Sequence, residues 1–222
     1  MSTLSAVLFD IDGTLVDSNY SHIAAWSKAL AQLGEPVDSW RIHRAIGMDS
    51  AKLLDALLHE HAVELGDRAK ELHQQYFLDA ASQLRAFAGA RDLIQTLSAR
   101  GLRIVLATSA PEKELDVLTQ VLQVQDAVAE VTSASDVEAA KPEPDIIEAA
   151  LAKARTPASA AIMVGDAVWD IEAAARAGVP CVAVCSGGTG ALELREAGAV
   201  AVYDDVADLL AHLDAGPLAA TD

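Results

Sequence analysis

Short runs of apolar residues recur along the chain, and each of them ends at small or acidic residues. Four runs are pronounced, and a fifth, shorter one lies near the end of the chain; they cover residues 6–9, 104–107, 161–164, 179–184 and 200–203. Apolarity is continuous within a run rather than alternating. This pattern predicts strands that are buried on both faces, as in a parallel sheet.

Segments with a helical spacing of apolar residues separate these runs, and they cover residues 90–100, 112–122, 144–154, 170–177 and 206–213. The alternation predicts an α/β fold, a doubly wound, Rossmann-like core with a parallel sheet and right-handed crossovers. Ligands of such folds bind beyond the carboxyl ends of the strands. Asp10, Asp12, Thr108 and Asp166 closely follow three of the runs and are therefore the first candidates for a site.

A long interval separates the first two runs. Residues 10–103 are far too many for one crossover connection. Much of this interval shows helical patterns, such as the leucines at 53, 54, 57 and 58, and no convincing strand. We therefore predict a core formed by residues 1–16 and 85–222, an inserted helical cap over residues 17–84, and a frayed tail over residues 215–222.

The charge of the chain limits the partners that we expect. Sixteen Lys and Arg residues stand against thirty-three Asp and Glu residues, which gives a formal net charge of −17. Such a field repels phosphate backbones and anionic membrane surfaces, so we expect no binding of nucleic acid or membranes. It also opposes a small phosphorylated metabolite, so a site for one must supply local positive charge from a metal or a lysine.

The cysteines and the chain ends indicate the compartment. Cys181 and Cys185 share the parity of one predicted strand, which predicts buried thiols on one face that cannot form a disulfide. The chain shows no signal segment at its start and no apolar stretch of membrane-spanning length. We expect a soluble, cytoplasmic protein, and the sequence leaves its oligomeric state open, a monomer included.

The strongest chemical signal is the segment Leu8-Phe9-Asp10-Ile11-Asp12-Gly13-Thr14-Leu15-Val16-Asp17. Two carboxylates two positions apart at the end of a buried strand point to the same side, and Gly13 permits a sharp exit. Like charges at this distance repel each other unless a cation lies between them. The spacing therefore implies a metal.

This segment resembles the first motif of the haloacid dehalogenase-like phosphohydrolase superfamily. The resemblance implies that Asp10 attacks phosphorus and forms an aspartyl-phosphate. It also implies that Asp12 protonates the leaving oxygen and then activates water.

Two further segments resemble the next motifs of that family. Residues 104–109 resemble the second motif, in which the Thr108 hydroxyl would hold a phosphoryl oxygen and Ser109 would add a contact. Residues 141–145 resemble the third motif, in which Lys141 would neutralise the nucleophile and the phosphoryl group. Taken alone, a Thr such as Thr108 is more often a helix cap. A single Lys is often a solvated surface lysine, but Pro142 and Pro144 favour a fixed position for Lys141.

Residues 164–170 resemble the fourth motif, with Asp166 and Asp170 four positions apart. If a helix begins near Asp166, this spacing places both carboxylates on one face. By the resemblance, Mg²⁺ would be held by the Asp10 carboxylate, the Asp12 main-chain carbonyl and Asp166, with Asp170 in support. Mg²⁺ suits such an all-oxygen set better than zinc. Alternatively, Asp170 acts only on the helix dipole.

The four motifs together resemble the subgroup with a helical cap, which includes phosphoglycolate phosphatases and β-phosphoglucomutases. The cap of this subgroup reads the leaving group, so His22, Gly47 and Met48 are candidates for substrate contacts, together with Arg41 or Arg44. His22 has the spacing of a proton-transfer histidine of the mutases, but packing within the first cap helix explains it equally well.

The predicted function is Mg²⁺-dependent hydrolysis of a small phosphomonoester, with phosphoglycolate as one candidate. A mutase of β-phosphoglucomutase type is the alternative, although residues 47–50 lack the arginine that holds the second phosphate in those enzymes. Asp12 argues against a dehalogenase, which lacks the second carboxylate. A non-catalytic phosphate-binding protein is a third option.

Overall fold

The computed structural model of the protein describes residues 3–137 and 141–219. Within these residues, six parallel strands form one sheet in the order β3-β2-β1-β4-β5-β6. The strands are β1 Ala6–Phe9, β2 Arg103–Ala107, β3 Glu130–Thr132, β4 Ala161–Gly165, β5 Cys181–Val184 and β6 Ala201–Tyr203. The predicted fold class, an α/β core with a doubly wound parallel sheet, is confirmed.

The sheet order places the end of β1 at the centre of one edge. Phe9 pairs with Leu106 on β2 and with Val164 on β4. The chain therefore winds to one side of β1 through β2 and to the other side through β4, which is the arrangement that opens a crevice at the carboxyl ends.

Helices cover both faces of the sheet, because successive strand residues point to opposite sides. Val7 and Phe9 pack on the face that is covered by α5, α6 and α10. Ala6 and Leu8 pack on the face that is covered by α7, α8 and α9. These helices are α5 Ala90–Ala99, α6 Glu112–Leu122, α7 Asp145–Ala154, α8 Val168–Arg176, α9 Ala191–Glu196 and α10 Val206–Ala211.

Residues 19–83, here called the helical segment, form four α-helices joined by turns and short 3-10 helices. They are α1 Asn19–Gln32, α2 Ser39–Ala45, α3 Ser50–Leu58 and α4 Ala62–Asp79. Their apolar faces form a cluster separate from the two clusters on the sheet. No helix among the described residues is long and apolar enough to cross a membrane.

Two neighbouring connections join the helical segment to the sheet region. Val16 pairs in antiparallel fashion with Ala86. The Asp17 amide donates to the Arg85 carbonyl at 2.9 Å, and the Phe87 amide donates to the Leu15 carbonyl at 2.9 Å. The division of the chain into a core and a cap remains a prediction.

Several details differ from the expectations. Strand β3 was not predicted, because its three residues form no apolar run.

Cys181 is buried on β5, but Cys185 lies in a short 3-10 helix after that strand and is half-buried. The prediction that both cysteines share one strand face is therefore wrong. Leu218 is buried in the sheet core, so the predicted frayed tail does not include it, and residues 220–222 lie outside the described residues.

Candidate active site

The carboxyl ends of the central strands bring the predicted residues to one cavity. Asp10 follows β1, Thr108 follows β2 and Asp166 follows β4. With Asp12 and Ser109, they line a cavity of about 60 Å³ between the sheet edge and the helical segment. The sequence motifs, which are far apart along the chain, thus meet at a single site.

Lys141 is the buried cation of this site. Its Nζ forms an ion pair with Oδ1 of Asp10 and lies 2.7 Å from Oδ1 of Asp170. Only 1% of Lys141 is exposed. Burial by itself lowers the pKa of Lys141, but the charges of Asp10 and Asp170 raise it above the ordinary value, so the side chain stays protonated. A solvated surface lysine, the alternative from sequence, is therefore wrong.

Asp170 organises the loop after β4. Its Oδ2 accepts hydrogen bonds from the backbone amides of Asp166, at 3.1 Å, and Ala167, at 3.0 Å. Helix α8 begins at Val168, so Asp166 precedes the helix and Asp170 lies in its first turn. The predicted placement of both carboxylates on one helix face is wrong, because the loop folds back over the helix start.

Asp166 is held by side chains from the beginning of the chain. Thr14 Oγ1 donates to its Oδ1 at 3.0 Å, and Asn19 Nδ2 donates to its Oδ2 at 2.9 Å. Gly13 passes close by with φ of +74°, and a Cβ added there would lie 2.6 Å from Asp166 Oδ2. Glycine is thus required both by the left-handed backbone and by the close approach.

The carboxylates of Asp10, Asp166 and Asp170 fit a hard divalent cation. Each offers an oxygen, and these oxygens lie within 4.8 Å of one another in a fully buried cluster. Burial raises the pKa of Asp10 to about 7, against the opposing charge of Lys141. Burial also raises the pKa of Asp166 well above its usual range, and the charges of Asp170 and Asp10 add to this effect. A bound cation would relieve this repulsion, and oxygen donors are what such cations prefer.

Asp12 has the opposite electrostatic environment. Burial by itself raises its pKa, but the charge and hydrogen bond of His22, together with the hydrogen bond of Ser18, bring the pKa below its ordinary value. His22 Nε2 lies 3.1 Å and Ser18 Oγ lies 2.5 Å from the same oxygen, Oδ1 of Asp12. Asp12 is therefore a fixed carboxylate beside the more weakly ionised Asp10.

His22 is also the first of a series of buried side chains in contact with one another, two of which the sequence did not indicate. Its Nδ1 lies 3.0 Å from Nε2 of His73, and Nδ1 of His73 lies 3.5 Å from Oε1 of Glu114. Trp26 stacks on the His73 ring at 4.0 Å, and Phe77 stacks on the His22 ring at 3.9 Å. His22 thus contacts Asp12 and also packs within the helical segment, and its part in proton transfer remains a prediction.

Burial controls the ionisation of these side chains. It raises the pKa of Glu114 to about 7. Burial also lowers the pKa of His73 well below its usual range, and the charge of His22 adds to that shift. The sequence carried no signal for either residue, because Glu114 in a first helical turn is typical of a helix-dipole partner.

The hydroxyls after β2 face the same cavity. Thr108 Oγ1 accepts a hydrogen bond from the Ala110 amide at 3.0 Å, which leaves its own proton free to donate. Ser109 Oγ is buried and has no hydrogen-bond partner among the described residues. An unpartnered buried hydroxyl at this position can bind an oxygen of a ligand.

The turn between α2 and α3 contributes Gly47 and Met48 to the cavity. Gly47 has φ of +94°, and an added Cβ would lie 3.0 Å from the Cβ of Ala167. The two candidate arginines are not at the site. Arg44 forms an ion pair with Glu193 at 2.5 Å, and Arg41 lines a different surface depression.

Comparisons with known proteins agree with the site. The family model described as haloacid dehalogenase-like hydrolase matches residues 7–184. The chain is 32% identical over 214 residues to a phosphoglycolate phosphatase of Rhodospirillum rubrum, a match that covers 92% of this chain and 88% of that protein.

Two solved structures show how far the likeness in shape extends. A hydrolase from Pseudomonas syringae is 37% identical, with a TM-score of 0.91 and coverage of 95% of this chain and 98% of that one. A β-phosphoglucomutase from Clostridium difficile shares the fold at 22% identity, with a TM-score of 0.80 and coverage of 91% and 92%.

The family match extends over most of the chain, including all four motifs, and relatives of similar length are named phosphatases. The predicted class of enzyme, a phosphatase, is thereby confirmed. The chain belongs to the haloacid dehalogenase-like hydrolase family.

Proposed function

We propose that the protein hydrolyses a small phosphomonoester through an aspartyl-phosphate on Asp10. The observation that carries this proposal is the pair of carboxylates at the carboxyl end of β1, with Asp10 buried beside a buried lysine and Asp12 half-buried beside a histidine. Two neighbouring carboxylates with different environments are suited to two different roles.

In the first step, an oxygen of Asp10 attacks phosphorus while the bond from phosphorus to the leaving oxygen breaks. Oδ1 of Asp10 is engaged by Lys141, so Oδ2 is the oxygen available for attack. Burial by itself lowers the pKa of His22, but the charge and hydrogen bond of Asp12 raise it above its ordinary value, so the proton is held by His22. Asp12 passes this proton to the leaving oxygen, which departs as an alcohol. His22 and Ser18 hold the Asp12 carboxylate in a fixed orientation for this transfer.

In the second step, water attacks phosphorus and the bond from phosphorus to Asp10 breaks. Asp12 accepts a proton from that water and returns it to His22, so no proton is gained or lost over the cycle. Free Asp10 and inorganic phosphate result.

Three side chains would hold the transferring phosphoryl group. Lys141 supplies the positive charge that the acidic protein otherwise lacks, and the hydroxyls of Thr108 and Ser109 supply donors. The helical segment would act as a cap that excludes water and contacts the leaving group through His22, Gly47 and Met48.

Mg²⁺ is the cofactor that these residues fit. Asp10 and Asp166 would hold it with the main-chain carbonyl of Asp12, and Asp170 would support the site through Lys141 and the loop amides. When bound, Mg²⁺ neutralises negative charge on the phosphoryl oxygens.

A phosphosugar mutase is the second candidate, supported by the shared fold of a β-phosphoglucomutase and by the contact of His22 with Asp12. A mutase must also hold a second phosphate in the cap. Among the described residues that line the cavity, none is a Lys or an Arg. Hydrolysis of a monoester, with phosphoglycolate among the candidates, therefore fits better.

The test is phosphate release from a panel of phosphomonoesters with Mg²⁺, run with the wild type and with Asp10→Asn. We expect the variant to lose at least about 10³-fold in kcat, because it lacks the nucleophile but preserves shape. Unchanged far-UV circular dichroism would show that the fold is intact. Wild-type turnover rates in Asp10→Asn would rule out the mechanism, and isomerisation of β-glucose 1-phosphate with a bisphosphate activator would favour the mutase.

A further inference from the structure

The cavity has a distal part, away from Asp10, that the phosphoryl chemistry does not use. It is lined by side chains of the helical segment and of the start of α6, which are Trp26, Met48, Leu53, His73 and Glu114. This is the part of the cavity into which the leaving group of a phosphomonoester would extend. Its side chains therefore determine which leaving group is accepted.

Glu114 is an unpartnered acceptor in this distal part. It is 2% exposed, and its Oε1 has no hydrogen-bond partner within the described chain. The nearest donor is Nδ1 of His73 at 3.5 Å, beyond the roughly 2.7–3.2 Å of an N–H···O hydrogen bond. A buried carboxyl oxygen without a partner is costly, so such a group in a ligand cavity marks a place for a donor.

The charge of His22 compensates Glu114 only in part, because His22 is already paired with Asp12. The described residues that line the cavity include no Lys or Arg, and Lys141 is engaged by Asp10 and Asp170 beneath it. Both ring nitrogens of His22 are occupied, by Asp12 and by His73. The other polar side chains at the cap side and after β2, Ser50 and Ser109, are uncharged.

We propose that Glu114 determines specificity, by selecting a leaving group that presents a hydroxyl or ammonium donor and by rejecting one that carries a negative charge. The proposal rests on the proposed phosphatase function and adds the substrate class to it. A carboxylate placed against ionised Glu114 would be a like-charge contact in a buried site, and such contacts weaken the binding of the wrong partner.

A series of two-carbon substrates isolates the charge of the leaving group at constant size. It consists of ethyl phosphate, 2-hydroxyethyl phosphate, 2-aminoethyl phosphate and 2-phosphoglycolate. We expect kcat/KM at pH 8 to be higher for the hydroxyl and amino compounds than for ethyl phosphate, and lowest for 2-phosphoglycolate by roughly tenfold or more. At this pH Glu114 is mainly ionised, because burial raises its pKa only to about 7.

The variant Glu114→Gln keeps the shape and adds an amide donor. We expect it to raise kcat/KM for 2-phosphoglycolate by roughly tenfold and to lower it for the amino compound. Glu112→Gln is the matched control, because Glu112 is exposed in the first turn of the same helix and its substitution removes the same charge. We expect this control to leave the ranking unchanged.

The outcomes separate this inference from the proposed function. p-Nitrophenyl phosphate, whose hydrolysis depends on Asp10, reports on the phosphatase mechanism independently of Glu114. If 2-phosphoglycolate is the preferred substrate of the wild type, or if Glu114→Gln leaves the ranking unchanged, the inference is wrong while the phosphatase remains. The wild-type ranking decides the question even if Glu114→Gln does not fold.

Discussion

At the scale of single residues, partners rather than residue type set the chemistry of the carboxylates. Asp10 and Asp12 are two positions apart, yet burial raises the pKa of Asp10 to about 7. In Asp12 the charge and hydrogen bond of His22 overcome burial and lower the pKa. Glu114 lacks a close donor, and burial raises its pKa to about 7 from the model-compound value of 4.5. In each carboxyl group the direction of the shift is the balance between burial, which raises the pKa, and the charges and donors that face the group.

The raised pKa of Glu114 predicts a pH dependence of stability. The folded protein holds this proton between pH 4.5 and about 7 while the unfolded chain has lost it. The contribution of Glu114 to the free energy of unfolding is therefore fully present below pH 4.5 and is lost as the pH rises to 7, on the order of 3 kcal/mol in total. We expect Glu114→Gln to lack this loss.

Urea unfolding of the wild type and of Glu114→Gln at pH 5 and at pH 7.5 measures this difference. The wild type should lose more stability between the two pH values than the variant does. Parallel pH profiles for the two proteins would contradict the assigned ionisation of Glu114.

At the scale of elements, close packing of helix ends determines where glycine is needed. Gly89 precedes α5 with φ of +80°, and a Cβ there would lie 2.9 Å from the Cα of Ala207 in α10. Gly34, after α1, has a similar φ of +86° but no atom within 4 Å of an added Cβ. Both positions have a left-handed backbone, but only at Gly89 would an added Cβ contact another helix.

These glycines provide a matched pair of variants. We expect Gly34→Ala to destabilise the protein by about 1 kcal/mol, from the left-handed backbone alone. Gly89→Ala should cost roughly 2–4 kcal/mol, because separation of α5 from α10 is added to the same strain. Denaturant unfolding of both variants checks this, and equal losses of stability would show that the contact of Gly89 with Ala207 is not limiting.

At the scale of the whole molecule, a net charge of −17 surrounds a site that concentrates further buried carboxylates. Repulsion among Asp10, Asp166 and Asp170 opposes folding, and among the described residues Lys141 is the cation that pairs with this cluster. A cation that binds this cluster in the folded state should therefore stabilise the entire fold by linkage.

We expect Mg²⁺ at about 100 times its Kd to raise the unfolding free energy by about 2.7 kcal/mol, and the midpoint of thermal unfolding by roughly 5–10 °C. KCl at equal ionic strength controls for screening. Asp166→Asn should remove most of the Mg²⁺-dependent shift, whereas Asp126→Asn, at an exposed aspartate, should retain it. Equal shifts in both variants would mean that Mg²⁺ binds elsewhere.

The sequence by itself determined five of the six strands of the sheet, the family and the class of enzyme. Runs such as residues 6–9 and 161–164 are continuously apolar because each strand is buried on both faces, so the strands can be predicted from the local sequence. The residues after these strands were predictable for the same reason, since parallel strands end at a common edge. The roles of Asp10, Asp12, Thr108, Ser109, Lys141, Asp166 and Asp170 remain predictions, although the structure brings these residues together.

Only the tertiary structure decided which distant side chains meet. His73 lies on α4 and Glu114 on α6, so their convergence on His22 depends on how the helical segment packs on the sheet region, which no local pattern encodes. The same packing directs Arg44 toward Glu193 and away from the cavity. The burial of each element is indicated by the apolar residues of that element. The charge of the distal cavity arises from contacts between elements, so only the folded structure shows it.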